Sequence, residues 1–402
     1  LYLTVSESYI SSSVRTNYNN MLDALVNDAK TNIDATANDL ELVLKIHDYI
    51  LAKTEYAYED DGTTPKEAIW AHNIIGFVEN HKGVCESYAK TFIYLSRKFG
   101  IENIAVTGTS KNQNHMWNMV KIDDIYYEFD LTWDDNGDKD FGYNYFGLSL
   151  TDVEKDHVTG SQTYGISYLY GLPSVSDTSL NLTKLYKYNP DTLLYDYQGI
   201  YKSINAATAV LSEDGDYKIE LVNYFGRINS SSMDYRTYVL SKIESSFNSL
   251  SILGTYNIKA SENSYYSPTE ITLSEDVKLT NNVSFDSVML SSDDYKLTVS
   301  NSTLKLKGYS KLTCEIADEN GTLIADSDDQ IIISSKVVIT NLKEIRNTII
   351  SGNLHATNLI VDNNDLLNLK LKTANNEIIV DNLNININDN NINYIINIRK
   401  YK

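Results

Sequence analysis

The chain has 402 residues and a mass of 45.4 kDa, room for two or three domains with full-sized cores. Its 34 Lys+Arg against 54 Asp+Glu give a formal net charge of −20, which argues against a phosphate-tracking nucleic-acid binder and against docking on anionic lipid through basic patches. Hydrophobic residues at 42% and charged residues at 22% exclude wholesale disorder, and four prolines with 18 glycines exclude collagen-like or Pro-rich architectures.

The first predicted helix follows Asn38-Asp39, a capping pair, with apolar or buried-type positions Leu40, Val43, Leu44, His47, Ile50 and Leu51 recurring at three and four. A second follows Gly83, with Cys85, Tyr88, Ala89, Phe92, Leu95 and Phe99 on one stripe and Gly100 as its stop. The period then changes. Ile104 to Val106, Met116 to Ile122 and Ile125 to Leu131 read as strands, with Asp123-Asp124 as a hairpin turn between the last two. This half is therefore α+β.

Pro173 and the polar run Ser174 to Ser179 mark a boundary, which sets residues 1–173 as one domain and 174–402 as a β-rich second region. The first 173 residues hold 13 basic and 26 acidic side chains, the remainder 21 and 28, so the helical half is the more acidic. Beyond the boundary, Tyr201 to Leu211 reads as a short amphipathic helix and Tyr217 to Val222 as a strand. Strand-like tetrads then begin near Val277, Lys296, Leu312, Ile331, Val337, Asn358, Ile378 and Tyr394. Their spacing is mostly 16–21 residues, the length of one solenoid coil, with one six-residue step from Ile331 to Val337. A right-handed parallel β-helix with asparagine ladders on its stacked turns is expected, with β-sandwich modules as the alternative.

Three motifs in the first half carry chemistry. Gly83-Val84-Cys85-Glu86-Ser87-Tyr88-Ala89 places a cysteine at a helix N-terminus. There the macrodipole and unpaired N–H groups favour a thiolate and can stabilise an oxyanion. Asn114-His115-Met116-Trp117-Asn118 lies at the start of a strand, and Asp130, within Tyr127-Glu128-Phe129-Asp130-Leu131-Thr132-Trp133-Asp134-Asp135, at the end of the next. A hairpin turning at Asp123-Asp124 sets His115 and Asp130 roughly opposite. A carboxylate beside an imidazole fixes its tautomer and leaves the other nitrogen for a thiol.

These segments resemble the transglutaminase-like superfamily, within the papain-like cysteine enzymes, in its bacterial, often clostridial-type, members. The resemblance takes in "G-V-C-x-x-Y-A", "H-x-W-N" and "D-x-T-W-D-D", the helix from Val43 to Tyr58, and Tyr145-Phe146 with Asp156-His157, so it covers roughly residues 38–160. It implies Cys85 as nucleophile, His115 as general base and Asp130 as orienting acid. Ser87 departs from the glycine that many relatives carry. The resemblance also implies a second oxyanion donor upstream of the cysteine. His72, Asn73, Asn80 and His81 are candidates by type alone.

Other signals are weaker. Asp134 to Asp140 is acid-rich but out of register for an EF-hand, and reads as a solvated loop. The six histidines show no i,i+4 pair with a nearby acid, so no metal and no cofactor is expected. Trp117 and Trp133 either wall the cleft or fill the core. The two cysteines, Cys85 and Cys314, make no disulfide framework. The chain starts at Leu1 rather than methionine, which is expected of a chain whose leader has been removed, either by a signal peptidase or in cloning.

The sequence therefore predicts an exported bacterial enzyme, secreted or at the cell surface. It would perform thiol-dependent acyl transfer on a protein or peptide amide, cell-wall associated or not, with no nucleic-acid partner and no transmembrane segment. Hydrolysis is favoured over cross-linking. The alternative is a non-catalytic surface protein that keeps the scaffold and binds through its β-rich half.

Overall fold

A computed structural model describes residues 11–33, 38–137, 140–160, 171–212, 214–222, 237–243, 245–254, 269–362, 370–371 and 377–386. It divides the chain into two compact units between Leu180 and Asn181. The division lies beyond Pro173, because residues 174–180 are tied to the first unit. Val175 bridges Tyr126, the Ser179 hydroxyl accepts from Ser149 N, and Leu180 N donates to Gly147 O. Among the described residues no helix is long and apolar enough to cross a membrane.

The first unit opens with α1 (Ser12–Asn32), which the sequence pattern does not single out; its buried contribution is only Leu25, Val26 and Ala29, too sparse a stripe to stand out. Helix α2 (Asp39–Leu51) starts where expected, with the Asn38 carboxamide accepting from Leu40 N and Glu41 N. The parallel pair β1 (Glu55–Tyr56) and β2 (Lys82–Gly83) leads into α3 (Cys85–Lys98). Gly100, at φ +84°, ends that helix in the left-handed region.

The antiparallel sheet has the order β5-β4-β3-β8, from β3 (Asn103–Ser110), β4 (Gln113–Ile122), β5 (Ile125–Phe129) and β8 (His157–Thr159). Between β5 and β8 lie the short pair β6 (Asp135–Gly137) and β7 (Asp140–Phe141). Both hairpins use two-residue turns with positive φ at each central residue: Lys111-Asn112 and, as expected, Asp123-Asp124. Strand β5 ends at Phe129, not Leu131. The Asp130 carboxylate accepts from Thr132 N and Trp133 N and turns the chain into the helical turn α4 (Leu131–Asp134). Helix α3 packs on β3, β4 and α2, and the rings of Phe92, Phe129 and Phe146 meet edge to face in the core between them.

The second unit is a parallel β-solenoid, as the repeat predicted. It opens on an antiparallel hairpin, Thr183–Asn189 with Leu194–Tyr201, which the sequence pattern does not announce, and a short helix Ile204–Thr208. Three ladders then run along it. Register partners Val283, Leu304, Leu323, Leu342 and Leu359 in one ladder are 17 to 21 residues apart. A second ladder passes through Leu290, Leu312, Ile333 and Ile350, and a third through Val277, Leu297 and Ile316 to Val337. The six-residue step from Ile331 to Val337 is the corner between the second and third ladders, not a broken repeat. Tyr394 lies outside the described residues. Asparagines do ladder: Asn358 Nδ2 donates to Asn341 Oδ1 (3.0 Å), and Asn382 Nδ2 to Asn358 Oδ1 (3.3 Å).

Candidate active site

Cys85 is the first residue of α3, and the N-cap, Val84, has no side chain to bond the first-turn N–H groups. Ser87 N turns back to Val84 O at 2.8 Å, so the N–H groups before it and the helix dipole are left to act on the thiol. The approach to the helix is tight. A Cβ on Gly83 would stand 2.2 Å from Ser87 Cβ, and one on Gly76 would meet Ser87 Oγ at 3.3 Å and the Lys82 and Trp70 carbonyls more closely still. Ser87, the departure from the family pattern, therefore occupies space that these two glycines vacate. Cys85 is half-buried, whereas Cys314 is fully buried in the solenoid with burial pushing its thiol up to about 12.

His115 lies on β4 and Asp130 one residue past the end of β5. Strict pairing stops at Asn118 with Phe129, so the two residues meet at the end of the ladder rather than across it. His115 Nε2 is 2.6 Å from Asp130 Oδ2, and both side chains are buried. This leaves Nδ1 as the ring nitrogen for the thiol. Burial pulls the His115 imidazolium down, but the Asp130 charge and hydrogen bond, joined by Cys85, carry it up to about 10. Burial alone would raise Asp130; His115 and His157 instead hold it well below the usual carboxylate range.

The sequence pattern gives His157 no role. Its Nε2 lies 3.0 Å from the same Asp130 Oδ2, and its Nδ1 is 2.6 Å from Asp156 Oδ1. Tyr145 donates its hydroxyl proton to the other Asp156 oxygen. Asp130 thus serves two imidazoles, and His157 is itself raised, against burial, by Asp130 and Asp156. The adjacency of Asp156 and His157 was the available signal. Ligating atoms of His115, Asp130 and His157 lie within 4.8 Å of one another. The 2.6 Å spacing is nonetheless that of a hydrogen bond; two ligands of a tetrahedral zinc stand about 3.3 Å apart.

The aromatic walls divide. Trp117 is 1% exposed and donates from Nε1 to Glu128 Oε2 at 2.8 Å, so it is core, although its ring stacks on His115. Trp133 is half-buried and presents an edge to His115, with the Lys111 ammonium 3.6 Å from its centroid. Glu128 is buried and its Oε1 has no partner among the described residues; desolvation raises its carboxyl to about 7.

Asp134 and Asp135 correct the expectation of a solvated loop at the start of the acid-rich run. Asp134 is buried, with Oδ2 3.3 Å from His47 Nε2 and Oδ1 accepting from Tyr145 N. Asp135 accepts from the Tyr88 hydroxyl. The chain turns these acids inward because α4 packs on α3. Residues 138 and 139 of that loop lie outside the described set. Glu86 is bonded by His72 Nδ1 and Lys90, so His72 is turned to Glu86. Asn73 is spent on Ile69 O and Ile75 N, while Asn80 and His81 are exposed.

Residues 27–131 match the family described as the transglutaminase-like superfamily. Among solved structures the chain is similar to one described as a TGase, at 15% identity and TM-score 0.27, over 32% of this chain and 35% of that one. It is also similar to a candidate cysteine protease from Cytophaga hutchinsonii, at 22% identity and TM-score 0.23, over 32% of this chain and 45% of that one. The chain thus spans less than half of either structure. No curated protein matches the sequence.

Proposed function

Proceeding from a transglutaminase-like N-terminal domain, we propose that this protein is a thiol-dependent enzyme that transfers the acyl group of a protein or peptide amide, principally to water. One observation carries the reading. A half-buried cysteine at an uncapped helix N-terminus interacts with an imidazole whose far nitrogen is held by a buried carboxylate at 2.6 Å.

In this reading His115 Nδ1 takes the Cys85 proton, and the thiolate attacks the amide carbonyl. The tetrahedral oxyanion is met by first-turn N–H groups of α3. Collapse expels the amine, which takes the proton back from His115, and leaves a thioester on Cys85. His115 then removes a proton from water, whose oxygen attacks the thioester. The acid leaves and the thiol is restored. Asp130 holds the ring and balances its charge, and His157 holds Asp130.

Hydrolysis is favoured because the Trp133 face, the aromatic surface beside His115 that would hold an incoming ammonium, already carries Lys111 at 3.6 Å. Trp117 is too deeply buried to form a second wall. The solenoid would hold the enzyme near its substrate at the outside of a bacterial cell; fractionation of the producing cell tests that location.

The test of the chemistry is mass spectrometry of a glutamine-containing peptide incubated with and without a primary amine. Deamidation or cleavage that ignores the amine supports hydrolysis. Efficient amine incorporation without matching hydrolysis would make the protein a cross-linking enzyme, and no reaction at all, or one that survives Cys85→Ser, would remove the proposal.

A further inference from the structure

The acyl-transfer reading makes two opposed demands on His115. It is an imidazolium while the Cys85 thiolate attacks, and it must be a neutral base when water attacks the thioester. Acylation removes the thiolate that helped to hold the proton, but Asp130 remains, 2.6 Å from Nε2 in a buried site. An imidazole held by that charge alone keeps its proton too tightly to serve as a base near neutral pH. A second charge is needed to offset Asp130.

His157 supplies it. Both of its ring nitrogens face carboxylates: Nε2 stands 3.0 Å from Asp130 Oδ2, and Nδ1 stands 2.6 Å from Asp156 Oδ1. A neutral imidazole has one N–H, so it would satisfy one carboxylate and set a lone pair against the other. Both acids are ionised. Against burial, the two imidazoles hold Asp130 low, and His157 with the Tyr145 hydroxyl holds Asp156 low. Two ionised acceptors require two donors, so His157 is an imidazolium. The titratable groups packed around it agree. Asp130 follows β5, Asp156 precedes β8, Glu128 on β5 lies within reach of its charge, and the Tyr145 ring is 5.6 Å away. The remaining neighbour is His115 on β4, with ring centroids 5.4 Å apart. The two rings compete for one oxygen, Asp130 Oδ2. A cation at that range opposes the proton on His115.

We propose that His157 is a positioning residue that acts through its charge: a standing imidazolium between Asp130 and Asp156 that loosens the proton on His115 and so lets His115 act as the base in the hydrolytic half of the reaction. The proposal rests on the acyl-transfer reading. His157 keeps both protons throughout; no bond to it forms or breaks. In the step it serves, a water O–H bond breaks and its proton goes to His115 Nδ1, while the water oxygen bonds the thioester carbonyl carbon. The carbon–sulfur bond then breaks, and the proton passes from His115 to the Cys85 sulfur.

The experiment uses the full chain and Asp156→Asn, which separates charge from position. The half-buried carboxamide keeps both contacts, its oxygen accepting from the Tyr145 hydroxyl and its NH2 donating to His157 Nδ1. A neutral His157 then suffices, with Nε2–H still donated to Asp130. With p-nitrophenyl acetate the first turnover reports acylation of Cys85, and the steady state reports hydrolysis of the acyl-enzyme. First-turnover acylation, and alkylation by iodoacetamide, should stay within about two-fold of wild type. Steady-state hydrolysis at pH 7 should fall about tenfold, and the midpoint of its rise with pH should move up by about one unit, the two proteins converging at high pH. His157→Gln, at a buried position where folding is at greater risk, should repeat the shift; Asp156→Asn carries the test by itself. Nitrogen-15 NMR of the six histidines reads the charge directly: His157 should be doubly protonated at pH 8 in the wild type and not in Asp156→Asn. Equal losses in acylation, alkylation and hydrolysis, with the midpoint unmoved, would show that the pair only holds Asp130 in place. No loss at all, or a singly protonated His157 in the wild type, would show that it carries no working charge. Each of these overturns the proposal. Failure of the underlying reading looks different: wild-type protein that alkylates at Cys85 but forms no acyl-enzyme, which leaves the charge no step to serve and takes the proposal down with it.

Discussion

The two units solve the problem of burial in opposite ways. Among the described residues, the first unit buries His47, Glu128, Asp130, Asp134 and His157, each almost completely. Among its described residues the solenoid buries no ionisable side chain except Cys314 and two tyrosines, Tyr217 and Tyr238; the other buried polar residues described there are serines and threonines. Stacked coils repeat one short strand pattern, so each coil needs only aliphatic residues facing inward and small hydroxyls at its corners. The α+β unit instead folds its charges inward and pairs them. Burying charge is costly, and removing one partner of such a pair strands the other. A protein that accepts this cost in one unit and avoids it in the other has separated chemistry from scaffolding.

The sharpest test of that separation is the cysteines. Cys85→Ser is close to isosteric, so it should leave the fold intact while abolishing acyl transfer, a loss of at least about 1,000-fold. Cys314→Ser should leave turnover unchanged. Mass spectrometry after brief iodoacetamide treatment should find the label on Cys85 alone. Label on Cys314, or turnover that survives Cys85→Ser, breaks the division of labour.

pH should separate the units next. For His47 burial acts downward, but hydrogen bonds to Asp134 and Asp48 outweigh it and raise the imidazole to about 9. A group whose folded value exceeds the free value, about 6.5, contributes stability that is complete below pH 6.5 and lost as pH climbs through 9. Each tenfold gain in proton affinity on folding is worth about 1.4 kcal/mol, so the contribution at stake is about 3 kcal/mol. His115, at about 10, acts in the same direction. So does Glu128, whose carboxyl ionises near 7 in the fold but near 4.3 when free, so its ionisation weakens the fold as pH rises. Cys314 begins to count only above the free thiol value, about 8.5. Between pH 6.5 and 8.5, therefore, the first unit should lose thermal stability and the solenoid should not. Calorimetry across that window checks this; one transition moving as a whole would show that the units melt together.

The two units were also unequally legible. The solenoid's period, its ladders and its asparagine stacks follow from residue types at fixed spacing, because each coil's inward positions are set by its own short strands. In the first unit Cys85, His115 and Asp130 were legible because motifs mark the ends of the elements that carry them. What surrounds them was not. His157 arrives through the return of β8 to β3. Asp134 looked like a loop acid, and only the packing of α4 turns it inward against His47, 87 residues earlier. Long-range contacts of this kind carry no local period. The opening hairpin Thr183–Asn189 with Leu194–Tyr201 was missed for a related reason: its outer strand is mostly exposed, so burial imposed no alternation to read.

Packing at the start of α3 offers a smaller effect. Gly83→Ala drives a methyl against Ser87, 2.2 Å from its Cβ, and should cost about 1–3 kcal/mol while displacing Cys85. Ser87→Gly removes that obstacle. The double variant should recover most of the lost acylation rate and stability, and a double-mutant cycle measures the coupling. Additive losses would show that the Ala71 carbonyl, 3.3 Å from the added atom, sets the limit instead.

The smallest effect tests the scaffold by itself. The Asn358 carboxamide donates to Asn341 Oδ1 at 3.0 Å and accepts from Asn382 Nδ2 at 3.3 Å, so it is the middle of a three-rung stack. Both bonds join strands that are also paired through their backbones, so the side chains add to a ladder that already exists. Part of the stack is exposed to water, and a neutral hydrogen bond there contributes about 0.5–1.5 kcal/mol. Asn358→Ala should lower the solenoid's stability by about 1 kcal/mol. Asn358→Asp tests direction: a carboxylate accepts from Asn382 but cannot donate to Asn341, which then faces oxygen to oxygen. It should therefore be the worse of the two, and more so at pH 7 than at pH 3, where protonation restores a donor. Urea unfolding followed in the solenoid's transition measures both. Neither substitution should change the rate at which Cys85 is acylated. If Asn358→Ala slows acylation as much as it destabilises the solenoid, the two units are coupled energetically and the separation of chemistry from scaffolding fails.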